Sequence, residues 1–391
     1  MASGDPDRAQ SRVAKNMISL LPLYVLGFSS FISFTLLFPV MPQYATEFGA
    51  SVFQVGLVVG IYSYITALAM IPFGMLSDRI GRRVPLIVGL IALSLSPLLY
   101  LLVSDVPTLI LVRAVHGLAA AAFIPVAHAL VADMAPPHKM GEAMGWYTGS
   151  VQLSFVVGPM AGGFLLNYFG FNAVFYACSA VPFLGLLFIL PRLRAIPRRP
   201  AMAEAVASPW GWLRQRRALG GLLTPFFITL GSGTIIAFMP LYGAGFGIET
   251  GRVGIIIAVI YASSVLLRAP AGRLSDRIGR TPLILSGLLI SAVALVYMSF
   301  AASFPWLMVA GVFFGLGMGL AIPAGFALVA DLSPVGERGL TMGTANSFLQ
   351  LGVAAGATAM GGVAGATGLG TMFKISALIL IVGLFLIFYL T

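Results

Sequence analysis

A chain of 391 residues that is 59% hydrophobic and 9% charged, with a mean hydropathy of +1.01, lacks the polar matter to coat a water-soluble globule of that size. Its net charge of +10 would suggest nucleic acid in a soluble protein, but the basic residues are sorted by connection rather than gathered on one face, which excludes that reading. The composition requires a bilayer.

A helix needs roughly 20 apolar residues to cross about 30 Å of hydrocarbon. Such runs lie near 17–41, 52–75, 84–103, 107–132, 140–167, 171–190, 219–242, 252–272, 282–301, 305–331, 339–365 and 371–390. They are continuous rather than alternating and twice a membrane strand's length, so helices are predicted over a barrel. The expectation is an all-α membrane protein with 12 transmembrane helices in two pseudo-symmetric six-helix bundles. Its parts are a tail over 1–16, a bundle over 17–190, an Arg-rich linker over 191–217 and a second bundle over 218–391.

Of the 22 Lys and Arg, 18 fall in the tail and in every second connection after span 1, while Arg252 and Lys374 occupy the opposite connections. Arg113 and Arg268 lie inside spans. This asymmetry predicts a multi-pass protein of the cell membrane with both termini in the cytoplasm. The basic residues Arg8, Arg12 and Lys15 precede an apolar run too long for a signal peptide, so the first span is read as uncleaved. The single cysteine, Cys178, can form no intrachain disulfide and reads as a packing residue. In the linker, Arg192, Arg194, Arg198, Arg199, Arg214, Arg216 and Arg217 surround Trp210 and Trp212, which suits a short helix at the headgroups. Docking of anionic lipid or a partner is the alternative there.

The sequence repeats itself at an offset of 198 residues. Gly74-Met-Leu-Ser-Asp78-Arg79-Ile-Gly81-Arg82 returns as Gly272-Arg-Leu-Ser-Asp276-Arg277-Ile-Gly279-Arg280, identical at eight of nine positions. The same offset pairs Pro42 with Pro240, Tyr44 with Tyr242, Asp133 with Asp331, Gln152 with Gln350 and Gly158 with Gly356. Duplicated apolar halves meeting at one interface are a transporter architecture. In the repeated loop the glycines permit a tight turn, and Asp78 can accept from N–H groups at a helix N-terminus. Arg79 and Arg82 need acidic neighbours, which Asp133 supplies; Arg277 and Arg280 have Asp331. Pairs formed only when the ends of the two bundles close would latch one conformation.

The loop motif resembles the signature of the major facilitator superfamily, and the resemblance covers essentially the whole chain. Arg113-Ala-Val-His-Gly117 and Gly158-Pro159-Met-Ala-Gly162-Gly163 are similar to motifs of its drug:proton antiporter branch. That resemblance implies two bundles rocking about a midplane cavity lined by spans 1, 4, 7 and 10. The residues add that Gly158 and Pro159 interrupt the ladder of span 5 and Gly162 and Gly163 admit a close neighbour, so the segment can bend and seal. Ala357 stands where Pro159 would repeat, so the bend is expected in the first half only. Gly141, Gly145 and Gly149 form a flat ridge for tight packing.

Ionisable residues inside a membrane call for a functional reading. Arg113 is expected to face the cavity or a proton path, with Gly311 at its repeat position. His116 is either a proton carrier or a neutral histidine hydrogen-bonded to a neighbour. Arg268 is placed near a span end, where snorkelling is easy. Gln152, Gln350 and Asn346, with Tyr24 and Tyr261, are candidates for the proton or substrate path. Phe28, Phe34, Phe227 and Phe238 are candidates for an aromatic wall.

All twelve acidic residues fall in tails, loops or span ends. Transporters of the resembled branch commonly carry a carboxylate deep in the membrane, so its absence favours neutral or anionic amphipathic substrates over cations. The expected function is export of such small molecules by proton antiport. An uncoupled facilitator or a sugar or metabolite exporter is the nearest alternative, and a receptor or scaffold the different-class one. His116, His128 and His138 share no ligand-like spacing with a carboxylate and no phosphate loop occurs, so neither metal, cofactor nor enzymatic activity is expected. The expected partners are the substrate, protons and membrane lipid, with no nucleic acid, and the expected state is a monomer.

Overall fold

The computed structural model describes residues 6–135, 139–191, 215–333 and 338–391, with side chains described from Leu20 in the first helix and from Thr341 in the eleventh. The linker residues Arg192, Arg194, Arg198, Arg199, Trp210, Trp212 and Arg214, with His138 and the side chains of Arg8, Arg12 and Lys15, lie outside the described residues. The described chain is helical: α1 Pro6–Thr35, α2 Met41–Glu47, α3 Val52–Ile80, α4 Arg83–Leu95, α5 Val106–Met134, α6 Met140–Ile189, α7 Arg216–Ala244, α8 Thr250–Ile278, α9 Arg280–Met298, α10 Phe304–Leu332, α11 Arg338–Thr367 and α12 Leu369–Leu390. A 3₁₀ segment, Ser96–Leu102, extends α4.

Among the described residues, 10 helices are long and apolar enough to cross a membrane. The 50 residues of α6 hold two crossings, turned at Gly170 by the only non-helical backbone inside it. With α1 these make the twelve expected spans. Two local differences from the expectation have identifiable causes. Helix α1 already begins at Pro6, within the predicted tail, where a proline suits the first turn. It ends at Thr35, and α2 follows as a separate piece, whereas its counterpart α7 runs unbroken to Ala244. Pro39 lies in the interruption, and its repeat position holds Ala237 inside α7; a proline lacks the N–H that would continue the ladder.

The repeat is visible in the backbone itself. The six glycines with positive φ are Gly49, Gly81, Gly170, Gly247, Gly279 and Gly368, three pairs at the sequence offset. Within each half, α1 packs on α6 as α7 packs on α11, and α3 on α5 as α8 on α10. Across the halves, α3 meets α11 and α6 meets α8. One apolar core runs from Val40, Val55 and Leu109 of the first half into Ile236, Ile257 and Phe314 of the second. The other end of the first half keeps a separate core around Leu86, Phe123, Val131 and Tyr147. That end carries the duplicated basic loops and is called the basic face below.

Candidate gates and substrate path

On the face opposite the basic loops, the halves are sealed by backbone contact. A Cβ at Gly254 of α8 would stand 2.2 Å from the carbonyl oxygen of Pro159, and one at Gly56 of α3 would stand 2.2 Å from that of Ala357. One helical turn further out, Gly163 lies against Thr250 and Gly361 against Val52. These are the same two contacts related by the repeat. Hydrogen bonds from Thr250 to Gln43 at 2.8 Å and between Tyr64 and Thr358 at 3.0 Å join the halves beside them. In lipid, where no hydrophobic force drives helices together, such close approach through small residues supplies the contact.

Toward the basic face the halves part. Gly141, Gly145 and Gly149 of α6, Gly272 of α8 and Gly343 of α11 have nothing within 4 Å of an added Cβ among the described residues. The expected tight ridge on α6 is therefore an open face. The last described ties across the gap are Ser347 to the Ala67 carbonyl at 3.3 Å and a contact between Gln152 and Arg268. The helix continues through Pro159, whose carbonyl serves the seal as Ala357's does in the other half. Gly158 and Gly162 pack instead within their own half, against Thr35 and Leu36.

The repeated loops build two matching clusters. Gly81 and Gly279, with φ of 87° and 92°, end α3 and α8, in a region only glycine enters without strain. Gly74 and Gly272 sit inside those helices and take no part in the turn. Arg79 and Arg277 occupy the last turns. The Arg82 Nε donates to Asp133 at 3.0 Å and its Nη1 to Ser77 at 2.7 Å, with Asp78 as a second carboxylate partner. Arg280 does the same with Asp331 at 3.1 Å, Ser275 at 3.0 Å and Asp276. Asp78 and Asp276 thus serve arginines rather than a helix N-terminus. Each cluster lies within its own half and is formed while the basic-face ends stand apart, where contacts made only on closure were expected.

In the interior of the first half, α5 is keyed onto α3. Gly117 comes so close that its Cβ would lie 2.5 Å from the Tyr62 carbonyl oxygen. One turn earlier, buried Arg113 donates from Nε to Val58 O at 3.1 Å, lies near Val59 O and the Tyr100 hydroxyl, and sits 4.8 Å from the Tyr62 ring centroid. A guanidinium with no carboxylate partner among the described residues is thus satisfied by helix carbonyls, a phenol and a π face. It also borders a cavity at the seal, between Phe38, Ser63, Ile236 and Val353, with about 10 Å³ of room, enough for about one water. His116 is fully buried, its Nδ1 3.1 Å from the Tyr100 hydroxyl, and its Nε2 has no partner among the described residues. Tyr62 and Tyr100 were missed by the sequence reading; no spacing signal marks them, since they reach Arg113 only once α3, α4 and α5 pack together.

Arg268 does not snorkel. Helix α8 extends to Ile278, so Arg268 lies roughly 15 Å from its end. Its Nη1 and Nη2 donate to the Gln152 side-chain oxygen across the interface at 2.6 and 3.0 Å, the amide orientation being the one that gives the guanidinium an acceptor. Tyr261 bonds Ser232 at 3.2 Å and packs on Phe155 at 4.8 Å. Gln350 is partly buried on α11, and Asn346 donates locally to the Met342 carbonyl at 2.9 Å. The Tyr24 hydroxyl is buried without a partner among the described residues. Phe34 stacks on Tyr62 at 4.2 Å, while Phe227 and Phe238 belong to the core.

Sequence comparison matches residues 23–251 and 221–391 to the family described as Major Facilitator Superfamily. An uncharacterized MFS-type transporter of Methanocaldococcus jannaschii is 26% identical over 366 residues, covering 92% of this chain and 95% of that protein. The multidrug resistance protein MdtG of Klebsiella pneumoniae is 29% identical over 336 residues, covering 83% and 81%. Among solved structures, a bacterial homolog of the human lysosomal transporter Spinster, inward-facing and unoccupied, superposes with a TM-score of 0.81 at 19% identity, covering 96% of each chain.

Proposed function

The chain belongs to the Major Facilitator Superfamily, and from that premise we propose that it exports small amphipathic molecules, neutral or anionic in preference, by alternating access coupled to proton exchange. The observation that carries the substrate class is the charge of the interior. Arg113, Arg268 and His116 lie inside the spans, while every acidic residue of the sequence lies in a tail, a loop or a helix end. A cation entering between the halves meets positive charge without a counter-ion, and Coulomb repulsion in a medium of low dielectric is costly. The 29% identical relatives named as multidrug resistance proteins support an efflux reading.

The basic face is cytoplasmic in this reading, following the excess of Lys and Arg there. The sealed opposite face and parted basic face then correspond to an inward-open state that admits substrate from the cytoplasm, and the chain acts as a monomer in contact with lipid. Transport requires the seal of Gly56, Gly163, Gly254 and Gly361 to separate and the open faces of α6, α8 and α11 to meet. His116 is the proton carrier, taking a proton on Nε2 when the outer seal opens. The enclosure of His116 by Tyr62 and Tyr100 favours the second reading, an uncoupled facilitator.

Uptake of a neutral and a cationic dye by proteoliposomes under an imposed pH gradient tests the proposal. Gradient-driven movement of the neutral dye alone, lost in His116→Ala and in Arg113→Ala, is the expected result. Uptake indifferent to the gradient selects the facilitator. A cationic dye moved as well as the neutral one, with Arg113→Ala without effect on either, removes the charge argument.

A further inference from the structure

We propose that Arg268 is the anion-binding residue of this protein, gripping the carboxylate or sulfonate of an amphipathic substrate while the substrate's apolar body lies against Tyr261 and Phe155. The inference deepens the transport reading above and rests on it. It begins from the contrast between the two arginines inside the spans. Arg113 is surrounded by protein acceptors, with Val58, Val59 and Tyr100 distributed over Nε, Nη1 and Nη2. Arg268 is not. Among the described residues only the Gln152 oxygen meets it, at the end of the guanidinium, and its Nε is buried with no acceptor.

A guanidinium offers two edges to a planar anion, and the edge formed by Nε and one Nη is a matched fork for two oxygens. At Arg268 that edge is the one the protein leaves unsatisfied. No carboxylate pairs with it among the described residues, so the charge is not already neutralised. The site also has an apolar side. Tyr261 lies two turns away on the same helix face, and its ring meets Phe155, which is one turn from Gln152 on α6. The charged and aromatic parts together suit a molecule with one anionic end.

The position is also where a ligand would be felt by both halves. Arg268 belongs to the second half and Gln152 to the first, and beyond them toward the basic face the helices part at Gly149 and Gly272. The arginine is no requirement of the fold, because its repeat position holds Met70. Gln152 sets the guanidinium's direction with a neutral oxygen, leaving the positive charge for the substrate.

The test uses dansylglycine and dansylglycinamide, matched probes that differ by one anionic charge, binding to the purified full chain in detergent. Wild type is expected to bind dansylglycine more tightly. Arg268→Gln is expected to lower the dansylglycine to dansylglycinamide affinity ratio about tenfold or more, the scale of a charged hydrogen bond. Arg268→Lys should lower it less, keeping charge without the fork. Gln152→Glu, which leaves Arg268 in place but gives it an internal carboxylate, should lower the ratio as Arg268→Gln does. A wild type without preference for the anion overturns the proposal, as does a ratio unmoved by both Arg268→Gln and Gln152→Glu. Anion-selective binding with no uptake of either probe into proteoliposomes would instead sink the export reading and leave the binding site standing.

Discussion

At Gly117 and at Gly315 the two halves of the molecule do the same thing: a glycine on one helix closes onto a carbonyl of its neighbour, Tyr62 O at 2.5 Å from an added Cβ in the first half and Ile260 O at 2.1 Å in the second. One turn earlier they differ. The first half has Arg113 reaching the carbonyl of Val58, and the second has Gly311, whose added Cβ would lie 3.5 Å from the equivalent carbonyl of Ile256. His116 is matched by Phe314, Tyr100 by Met298, and Arg268 by Met70. The repeated residues form braces, turns and seals; the unrepeated ones carry the charge of the interior. The fold is thus specified twice, and the charge of the interior once.

The seal should respond most strongly. Gly254→Val and Gly56→Val each drive a branched side chain into a backbone carbonyl of the other half, and both are expected to reduce vesicle transport more than about tenfold, with a few kcal/mol of overpacking to relieve. Spin-label distances across the opposite face should lengthen in both. A large effect from only one of the two would break the symmetry of the seal. Arg113→Met is expected next: transport falls about tenfold, while the melting temperature in detergent stays level or rises, since replacing a buried ionic group by an apolar one is often neutral or stabilising. A loss of stability matching the loss of transport would make Arg113 a fold residue.

The two loop clusters should separate by burial. Arg82 is 8% exposed, and its side chain is less accessible than that of Arg280, 9% against 23%. Arg82→Ala is expected to cost about 1–3 kcal/mol of stability, and Arg280→Ala under about 1 kcal/mol, as read by thermal unfolding; equal losses would show that exposure does not grade them. The smallest effect is expected at Pro159→Ala, with transport kept within about twofold, because Ala357 presents the same carbonyl to Gly56 without a proline. A collapse of transport there would restore a special role for the proline.

Much of this was legible in the chain. Apolar run length gave the spans because a bilayer leaves helices little alternative, and the repeat gave the pairing of halves because duplicated sequence turns the backbone at duplicated glycines. The partnership of Arg82 with Asp133 and of Arg280 with Asp331 could be read because each sits at a predicted helix end beside the other's helix. The functions of glycines could not. Gly149 and Gly163 look alike in sequence, yet one faces open space and the other touches Thr250, because contact depends on how far apart the halves stand at that depth.

What the sequence by itself determined is the membrane class, the two-fold organisation, the charged clusters at the basic face and the absence of a buried carboxylate, all of which follow from composition and spacing along one dimension. Only the tertiary structure decided that Arg113 is consumed by carbonyls of α3 while Arg268 keeps an unsatisfied edge. Hydrogen-bond satisfaction is a property of three-dimensional neighbours, and the acceptors of Arg113 come from residues as far as 55 positions away along the chain.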